Sequence, residues 1–177
     1  MTHGDPKTPK KNPHPVKRYE VIATADAPGP WDAVSSYLNY EVVNPACTPE
    51  DKFLGVHEMP RIVGQDIEMT KVDDKTWKGY FYRDLIQDED YYGLGICHWD
   101  TTSVSADFVV HGETFGSGDV LEVLLQKGPQ TMYFKKSDFT DRSLKDGGDG
   151  FSSVYPQYVK QPDAFFPITV TVKEATP

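Results

Sequence analysis

The side chains best suited to chemistry lie close together in residues 88–99, which read DEDYYGLGICHW. This stretch combines three carboxylates and two tyrosines with a cysteine and a histidine, groups that enzymes use as nucleophiles, acids and bases. Cys97 and His98 look like a thiol–imidazole pair. Adjacent residues of a strand point to opposite faces of the sheet, so these two groups cannot meet if both lie in a strand. We therefore do not expect a cysteine nucleophile.

The rest of the chain offers no catalytic or zinc motif. Ser117 stands between two glycines, but the G-x-S-x-G spacing of a nucleophilic serine is missing, and we interpret it as part of a turn. The five histidines include no H-x-H or H-E-x-x-H pair, which argues against zinc. The sequence therefore predicts a protein that is not an enzyme and holds no cofactor or metal.

Two clusters of acids with glycines leave open the alternative that the protein binds calcium or carbohydrate. Residues 88–93 (DEDYYG) and 146–150 (DGGDG) supply the oxygen ligands and tight turns that calcium prefers, although neither has the EF-hand spacing. Tyr91 and Tyr92 lie in the loop part of the first cluster, where exposed rings can stack on sugars. A calcium- or carbohydrate-binding β-sandwich of the cell envelope is therefore the alternative to a protein-binding module.

The elements that position these residues are mostly strands. Residues 61–72 and 76–83, joined by a polar turn, form the most clearly predicted hairpin. Residues 117–126 carry apolar side chains at helical spacing and predict one helix of about two turns. Further strands are predicted at residues 16–24, 37–43, 101–110, 131–135 and 166–174. This order predicts an all-β fold with one short helix, an antiparallel β-sandwich of about seven to eight strands.

Period-two alternation identifies the expected core face of two strands. Val104, Ala106, Phe108 and Val110 alternate with mainly polar residues in residues 101–110. The same pattern recurs near the end of the chain, with the apolar positions Ile168, Val170 and Val172. We expect these side chains to face the space between the two sheets.

Composition favours one folded domain after a short tether. The 177 residues are 38% hydrophobic and 12% aromatic, enough for a core in residues 16–177. Residues 1–15 are rich in proline and lysine and predict a flexible tether. Such a linker follows the lipidated cysteine of bacterial lipoproteins, so either Met1 stands where that cysteine stood or residues 1–15 are a disordered terminus without a role.

The charge and the absence of long apolar runs limit the partners. A net charge of -9 argues against nucleic acid and against anionic membrane surfaces, which attract lysine and arginine. No apolar run approaches the ~20 residues of a membrane-spanning helix. The membrane is therefore expected to matter only through a possible N-terminal lipid anchor.

The two cysteines, Cys47 and Cys97, are not part of a C-x-x-C motif. They are either two buried thiols or a disulfide that closes a loop of about 50 residues, worth roughly 4 kcal/mol in the chain-entropy model. We favour the disulfide, which implies an oxidising compartment. Residues 88–99 then form a surface loop, a turn at Gly93 and Gly95, and a strand in which Trp99 shares the core face with Cys97.

Residues 92–99 (YGLGICHW) resemble the YYGKGxCHW pattern of bacterial periplasmic lipoproteins that look like immunity proteins of type VI secretion phospholipase effectors. Residues 84–90, 131–134 and 166–172 fit the same group, and the similarity covers roughly residues 80–174. Leu94 stands in place of the lysine of the pattern. The resemblance implies a periplasmic, non-catalytic lipoprotein that blocks a toxic lipase encoded by the adjacent gene.

The expected mechanism is occlusion by a rigid surface. Aromatic side chains are expected to anchor the contact and acids to steer a basic toxin. The expected contact residues are Asp88, Glu89, Asp90, Tyr91, Tyr92, Asp146, Asp149, Phe151 and Tyr155. A structural accessory protein of the secretion apparatus is a further reading, in which the partner is the machinery rather than a toxin.

Overall fold

The computed structural model describes residues 3–175 of the chain, which are mostly β-structure. The strands are β1 Arg18–Ala25, β2 Ala33–Val42, β3 Glu50–Asp51, β4 Val56–His57, β5 Val63–Glu68, β6 Thr70–Asp73, β7 Thr76–Tyr82, β8 Trp99–Val110, β9 Glu113–Val120, β10 Gln130–Lys135 and β11 Phe165–Glu174. The α-helices of the described residues are α1 Leu121–Lys127, α2 Lys136–Thr140 and α3 Pro156–Lys160. None of these helices is long and apolar enough to cross a membrane.

The strands form two large antiparallel sheets. One has five strands in the order β10-β11-β1-β7-β6, and the other has four in the order β5-β2-β8-β9. A single cluster of buried side chains joins the sheets, and β3 with β4 forms a separate small hairpin. The predicted all-β sandwich is confirmed, with more strands and more short helices than the sequence indicated.

The period-two pattern correctly identifies the core faces of β8 and β11. The four apolar positions of β8 and the three of β11 predicted to point inward are all buried. They meet an aromatic cluster in which the ring of Trp31 contacts the rings of Phe108, Phe115, Phe139 and Phe166. Phe139 belongs to α2, inside a charged segment that the sequence left without structure.

The predicted hairpin of residues 61–72 and 76–83 is only half right. Thr70–Asp73 pairs with β7 as expected, but Val63–Glu68 pairs with β2 in the other sheet. The chain crosses between the sheets at Met69, which is buried. Gly79 leaves room for this crossing, since a Cβ there would lie 2.6 Å from the Met69 sulfur.

The helix predicted over residues 117–126 begins later than expected. Residues 117–120 complete β9, and α1 runs from Leu121 to Lys127. The apolar spacing is real, because Leu121 and Leu124 are buried. Gly118 pairs with β8 instead of starting the helix. This close pairing requires glycine, because a Cβ at this position would lie 2.4 Å from the carbonyl oxygen of Val104.

The start of the chain is held against the domain, which differs from the flexible tether expected for residues 1–15. The N–H of Asn12 donates to the carbonyl of Leu85 at 2.7 Å, and the N–H of Gln87 donates to the carbonyl of Lys10 at 2.8 Å. These bonds give residues 10–12 main-chain partners on the segment that follows β7. Met1, expected to stand in place of a lipidated cysteine, lies outside the described residues.

One acid on the outer face of the four-stranded sheet supplies a test of the fold. Asp107 is half-buried, and burial followed by the charge of Asp66 raises its pKa above the ordinary value. A raised pKa in the folded state means that ionisation destabilises the fold, so this penalty is largest above the folded pKa and disappears as pH falls below the unfolded value. The variant Asp107→Asn should therefore melt at a higher temperature than the wild type at pH 7.

The gain should stay below roughly 4 °C, the effect of about 1 kcal/mol in a domain of this size, because Asp107 is only half-buried. Thermal unfolding followed by circular dichroism between neutral and acid pH measures it. The difference between variant and wild type should shrink as the pH falls. A melting temperature below that of the wild type at pH 7 would show that the Asp107 carboxylate stabilises the sheet.

Candidate functional site

The disulfide between Cys47 and Cys97 joins two loop segments at one end of the sandwich. The two Cα atoms lie 5.3 Å apart, and both cysteines are buried. The favoured prediction of a disulfide is confirmed, and the alternative of two buried thiols is wrong. We refer to the two joined segments, residues 43–62 and 84–99, as the disulfide corner.

Asn44 adds a second link between the same segments. Its Nδ2 donates to the carbonyl of Ile96 at 2.8 Å, and its Oδ1 accepts from the N–H of His98 at 2.7 Å. The N–H of Val43 also donates to the carbonyl of His98, at 2.9 Å. The disulfide is therefore one of several bonds that hold the two segments side by side.

Asp88 and Asp90 stabilise their own loop, whereas the carboxylate of Glu89, also expected to contact a partner, is largely buried and lies 3.8 Å from Nζ of Lys10. Oδ1 of Asp88 accepts from the N–H of Trp99 at 2.8 Å, and Oδ1 of Asp90 accepts from the N–H of Gly93 at 2.7 Å. Gly93 and Gly95 have φ angles of 73° and 116°, in the region that favours glycine. The predicted turn is present, and the carboxylates of Asp88 and Asp90, expected to steer a partner, already accept main-chain hydrogen bonds.

Cys97 and His98 face different surroundings, although the strand expected here begins only at Trp99 and Cys97 forms an isolated bridge with Glu89. Cys97 is fully buried, whereas the side chain of His98 is 57% exposed. Nδ1 of His98 lies 2.8 Å from Oδ2 of Asp88, a carboxylate of the same loop. His98 thus has a local structural partner, and the sulfur next to it in sequence belongs to the disulfide.

Tyr91 is not the exposed contact that the sequence suggested. It is only 5% exposed, and its hydroxyl accepts a hydrogen bond from Nε1 of Trp99 at 2.9 Å. Burial raises the pKa of the Tyr91 hydroxyl. Tyr92 is half-buried, and its pKa is raised by burial and then by the charges of Glu58 and Asp5. Of the two tyrosines, only Tyr92 is placed to take part in a contact.

The second group of expected contact residues lies at the other end of the sandwich. This group consists of Asp146, Asp149, Phe151 and Tyr155. The N–H of Gly148 donates to the carbonyl of Thr114, which pairs with Val109 near the end of β8. Asp88 is bound to Trp99 at the start of β8, and eleven residue steps of about 3.3 Å place the two ends about 36 Å apart. The structure does not bring the two groups together.

Phe151 and Tyr155 have a structural role at that far end. Their rings stack with centroids 4.2 Å apart, and the main chain of Phe151 forms two 2.8 Å hydrogen bonds with that of Tyr133. This bridge covers the outer edge of β10, which would otherwise offer unpaired main-chain groups. Asp146 and Asp149 are exposed beside it.

The sequence analysis missed the most exposed part of the disulfide corner, the β3–β4 hairpin. Phe53 is 95% exposed and Leu54 is 66% exposed, both in its turn. A carboxylate oxygen of Asp51 accepts from the N–H groups of Phe53 and Leu54 at 2.9 and 3.1 Å. An Asp followed four residues later by Gly was the available signal, but it marks any turn and says nothing about exposure.

The base of the hairpin is attached to the disulfide. Glu50 pairs with His57, and the N–H of Glu58 donates to the carbonyl of Pro49 at 2.8 Å. Oγ1 of Thr48 lies 3.2 Å from Nδ1 of His57, and Thr48 is buried directly after Cys47. The hairpin therefore stands on a fixed base.

Apolar side chains are concentrated on this corner. It contributes eight of the fifteen large apolar side chains that are exposed in the described chain, from about a fifth of its residues. They are Val43, Phe53, Leu54, Val56, Met59, Ile62, Leu94 and Ile96. Single exposed apolar residues are ordinary, whereas a local concentration of them is typical of interaction sites. We call this set the corner surface.

A polar cleft of about 500 Å³ lies beside the corner surface. Arg83 and Asp100 form an ion pair on its wall with contacts of 2.7 and 3.0 Å, which raises the pKa of the guanidinium. Asp88 and His98 line another part of it. Its described lining includes no serine, threonine or cysteine, so the Asp88–His98 pair faces no hydroxyl or thiol that it could activate as a nucleophile.

No group of three or more His, Cys, Asp or Glu side chains arranged to hold a metal occurs within residues 3–175. No family model matches the chain, and no curated protein and no solved structure is detectably similar to it.

The burial of Tyr91 predicts that it supports the fold rather than a contact. Tyr91→Phe should lower the free energy of unfolding by about 1–3 kcal/mol, because Nε1 of Trp99 is left buried without an acceptor. Tyr91→Ala should cost roughly 3–5 kcal/mol, because it also removes a buried ring. Urea unfolding measures both, with Tyr92→Ala as the neighbouring control. Equal stability of Tyr91→Phe and the wild type would contradict the assigned hydrogen bond.

Removal of the disulfide should lower the free energy of unfolding by a measurable amount. The variant with both Cys47→Ala and Cys97→Ala should lose about 4 kcal/mol of unfolding free energy, because its unfolded chain is no longer closed into a loop of about 50 residues. Urea unfolding of this variant is compared with that of oxidised and reduced wild type. A reduced wild type as stable as the oxidised protein would contradict the bracing role.

Proposed function

We propose that this chain is a non-catalytic immunity protein that binds and neutralises a secreted toxic lipase in the periplasm. The observation that carries the proposal is the corner surface, an exposed apolar surface on a disulfide-tied frame. Concentrated apolar exposure of this kind is typical of surfaces that become buried in a complex.

The rigidity of the corner supports a binding role. The disulfide and the Asn44 bonds fix both segments before any partner arrives. Little conformational entropy is then lost on association, so more of the apolar burial contributes to affinity. A preformed surface is what an inhibitor that acts by occlusion requires.

The use made of the reactive side chains also supports binding over catalysis. The two cysteines form the disulfide, and Asp88 and Asp90 accept main-chain hydrogen bonds of their own loop. Their chemistry is used to build the corner. The remaining exposed groups of the corner are mostly apolar, which suits contact with a protein rather than turnover of a substrate.

A lipase is the partner that best matches this surface. An enzyme that acts on acyl chains must present an apolar cleft, and an apolar surface can bury itself there without leaving polar groups unpaired. The resemblance of residues 92–99 to immunity lipoproteins points to the same class of partner. The complex would keep lipid out of the enzyme by covering its cleft.

The disulfide supports a location in an oxidising compartment, and the resemblance to lipoproteins implies an anchor at a membrane. A disulfide persists outside the reducing cytosol, and the periplasm is such a compartment. Nδ1 of His3 lies 3.1 Å from the carbonyl oxygen of Asp90, so the first described residue touches the disulfide corner. A lipid anchor preceding it would hold the corner near the membrane, where a lipase attacks.

The test is a titration of this protein with the lipase encoded by the adjacent gene. Calorimetry should give a nanomolar Kd, and saturation should abolish hydrolysis of phospholipid. Ile96→Asp should weaken binding roughly 100-fold or more, because a charge would be buried against the partner. Val154→Asp, on a valine at the far end that is even more exposed (79%, against 54% for Ile96), should leave binding unchanged.

Absence of binding at micromolar concentrations of both proteins would rule out this partner. Equal weakening by Ile96→Asp and Val154→Asp would show that the corner surface is not the contact. Thermal melts of Ile96→Asp and Val154→Asp are the control that each variant keeps the wild-type fold.

A further inference from the structure

The β3–β4 hairpin differs from the rest of the corner surface by its shape. Phe53 and Leu54 are neighbours in the turn between β3 and β4, and Phe53 is almost fully exposed. A Cβ placed on Gly55 would meet no atom within 4 Å, so the turn stands clear of the domain. Two large apolar side chains are thus carried on a projecting tip.

The tip is ordered by its own hydrogen bonds. Asp51 accepts from the N–H groups of Phe53 and Leu54 through its carboxylate, and from the N–H of Gly55 through its carbonyl at 2.7 Å. Gly55 has a φ of 67°, which closes the turn at little cost only for glycine. The exposed side chains therefore stand on a preformed turn.

The base of the hairpin transmits this order to the domain. Thr48, which precedes β3 and follows Cys47 directly, contacts His57 of β4 through its hydroxyl. The hairpin is therefore attached next to the disulfide, which connects it to the segment that leads into β8. A rigid projection of this kind is suited to enter a cavity rather than to spread over a flat surface.

The charges around the tip favour a protein cavity over a bilayer. Glu50, Asp51 and Glu58 flank the tip, against Lys52 and Arg61. Asp88 and Asp90 add further acid to the same corner. Segments that insert into anionic bilayers carry an excess of lysine and arginine, and this hairpin does not.

We infer that the β3–β4 hairpin is the inhibitory element: Phe53 and Leu54 enter the acyl-chain cleft of the lipase and occupy the space of the lipid substrate. This inference rests on the proposed function and adds a mode of action to it. Inhibition is then competitive with lipid, since hairpin and acyl chain fill the same apolar volume.

The first experiment compares the wild type with a variant that carries Phe53→Ala and Leu54→Ala. The variant should bind the lipase roughly 100-fold more weakly, the loss expected for truncating two central anchors. Val154→Ala with Val159→Ala, on two exposed valines around α3, is the matched control and should bind like the wild type. Both side-chain pairs are exposed, so both variants should keep the wild-type melting temperature.

The second experiment tests competition directly. The wild type should raise the apparent KM of the lipase for a monomeric short-chain ester and leave kcat unchanged. A monomeric, non-hydrolysable ether phospholipid should weaken binding of the wild type in proportion to its occupancy of the cleft. Asp51→Ala, which loosens the turn but keeps both apolar side chains, should weaken binding about 10-fold.

The outcomes separate this inference from the proposed function. Wild-type affinity in the Phe53→Ala, Leu54→Ala variant, or a fall in kcat with unchanged KM, overturns insertion while the immunity role stands. Absence of any wild-type binding to the lipase overturns both. A third outcome is that the wild type binds vesicles of phosphatidylethanolamine and phosphatidylglycerol, that the double variant does not, and that neither binds the lipase. This outcome would show that the hairpin inserts into a bilayer, and it also overturns both the inference and the proposed function.

Discussion

The covalent link between Cys47 and Cys97 is the constraint on which the functional end of the molecule depends. Residues 43–62 and 84–99 contain no strand longer than two residues, so neither segment could hold its shape through a sheet. The disulfide, with the bonds of Asn44, attaches both to the start of β8. The hairpin, the glycine turn and the buried Tyr91–Trp99 pair all rest on this attachment.

Hydrogen bonds from main-chain N–H groups to aspartate carboxylates recur throughout the corner. Asp51, Asp88 and Asp90 each accept main-chain N–H groups that lie in a turn or at a strand start. A carboxylate satisfied in this way stabilises its loop, and much of its hydrogen-bonding capacity is no longer free for a partner. The acidity of the stretch therefore reflects how the loop folds, and the affinity expected of the corner comes from apolar burial.

The sequence predicts the sandwich because strands such as β8 bury every second residue, here from Val104 to Val110. The sequence-based prediction fails where contacts between strands determine the structure. At Met69, the strand predicted over residues 61–72 divides between the two sheets. At Gly118, pairing with β8 replaces the predicted start of the helix. Tyr91 is buried because its hydroxyl meets Trp99, a contact that composition does not reveal. The β3–β4 hairpin was missed because strands of two residues are too short to show periodicity. In addition, phenylalanine is usually buried, so the sequence gives no reason to expect an exposed Phe53.

The two ends of the sandwich stabilise the fold by different means. At the far end, Trp31 packs against four phenylalanine rings, and the hydrophobic effect holds the sheets together. At the disulfide corner, eight large apolar side chains remain in water and give up that stabilisation. The disulfide offsets the loss by restricting the unfolded chain, a contribution that needs no buried surface. Apolar side chains can therefore stay exposed for a partner without the corner unfolding, which explains why the covalent link lies at this end.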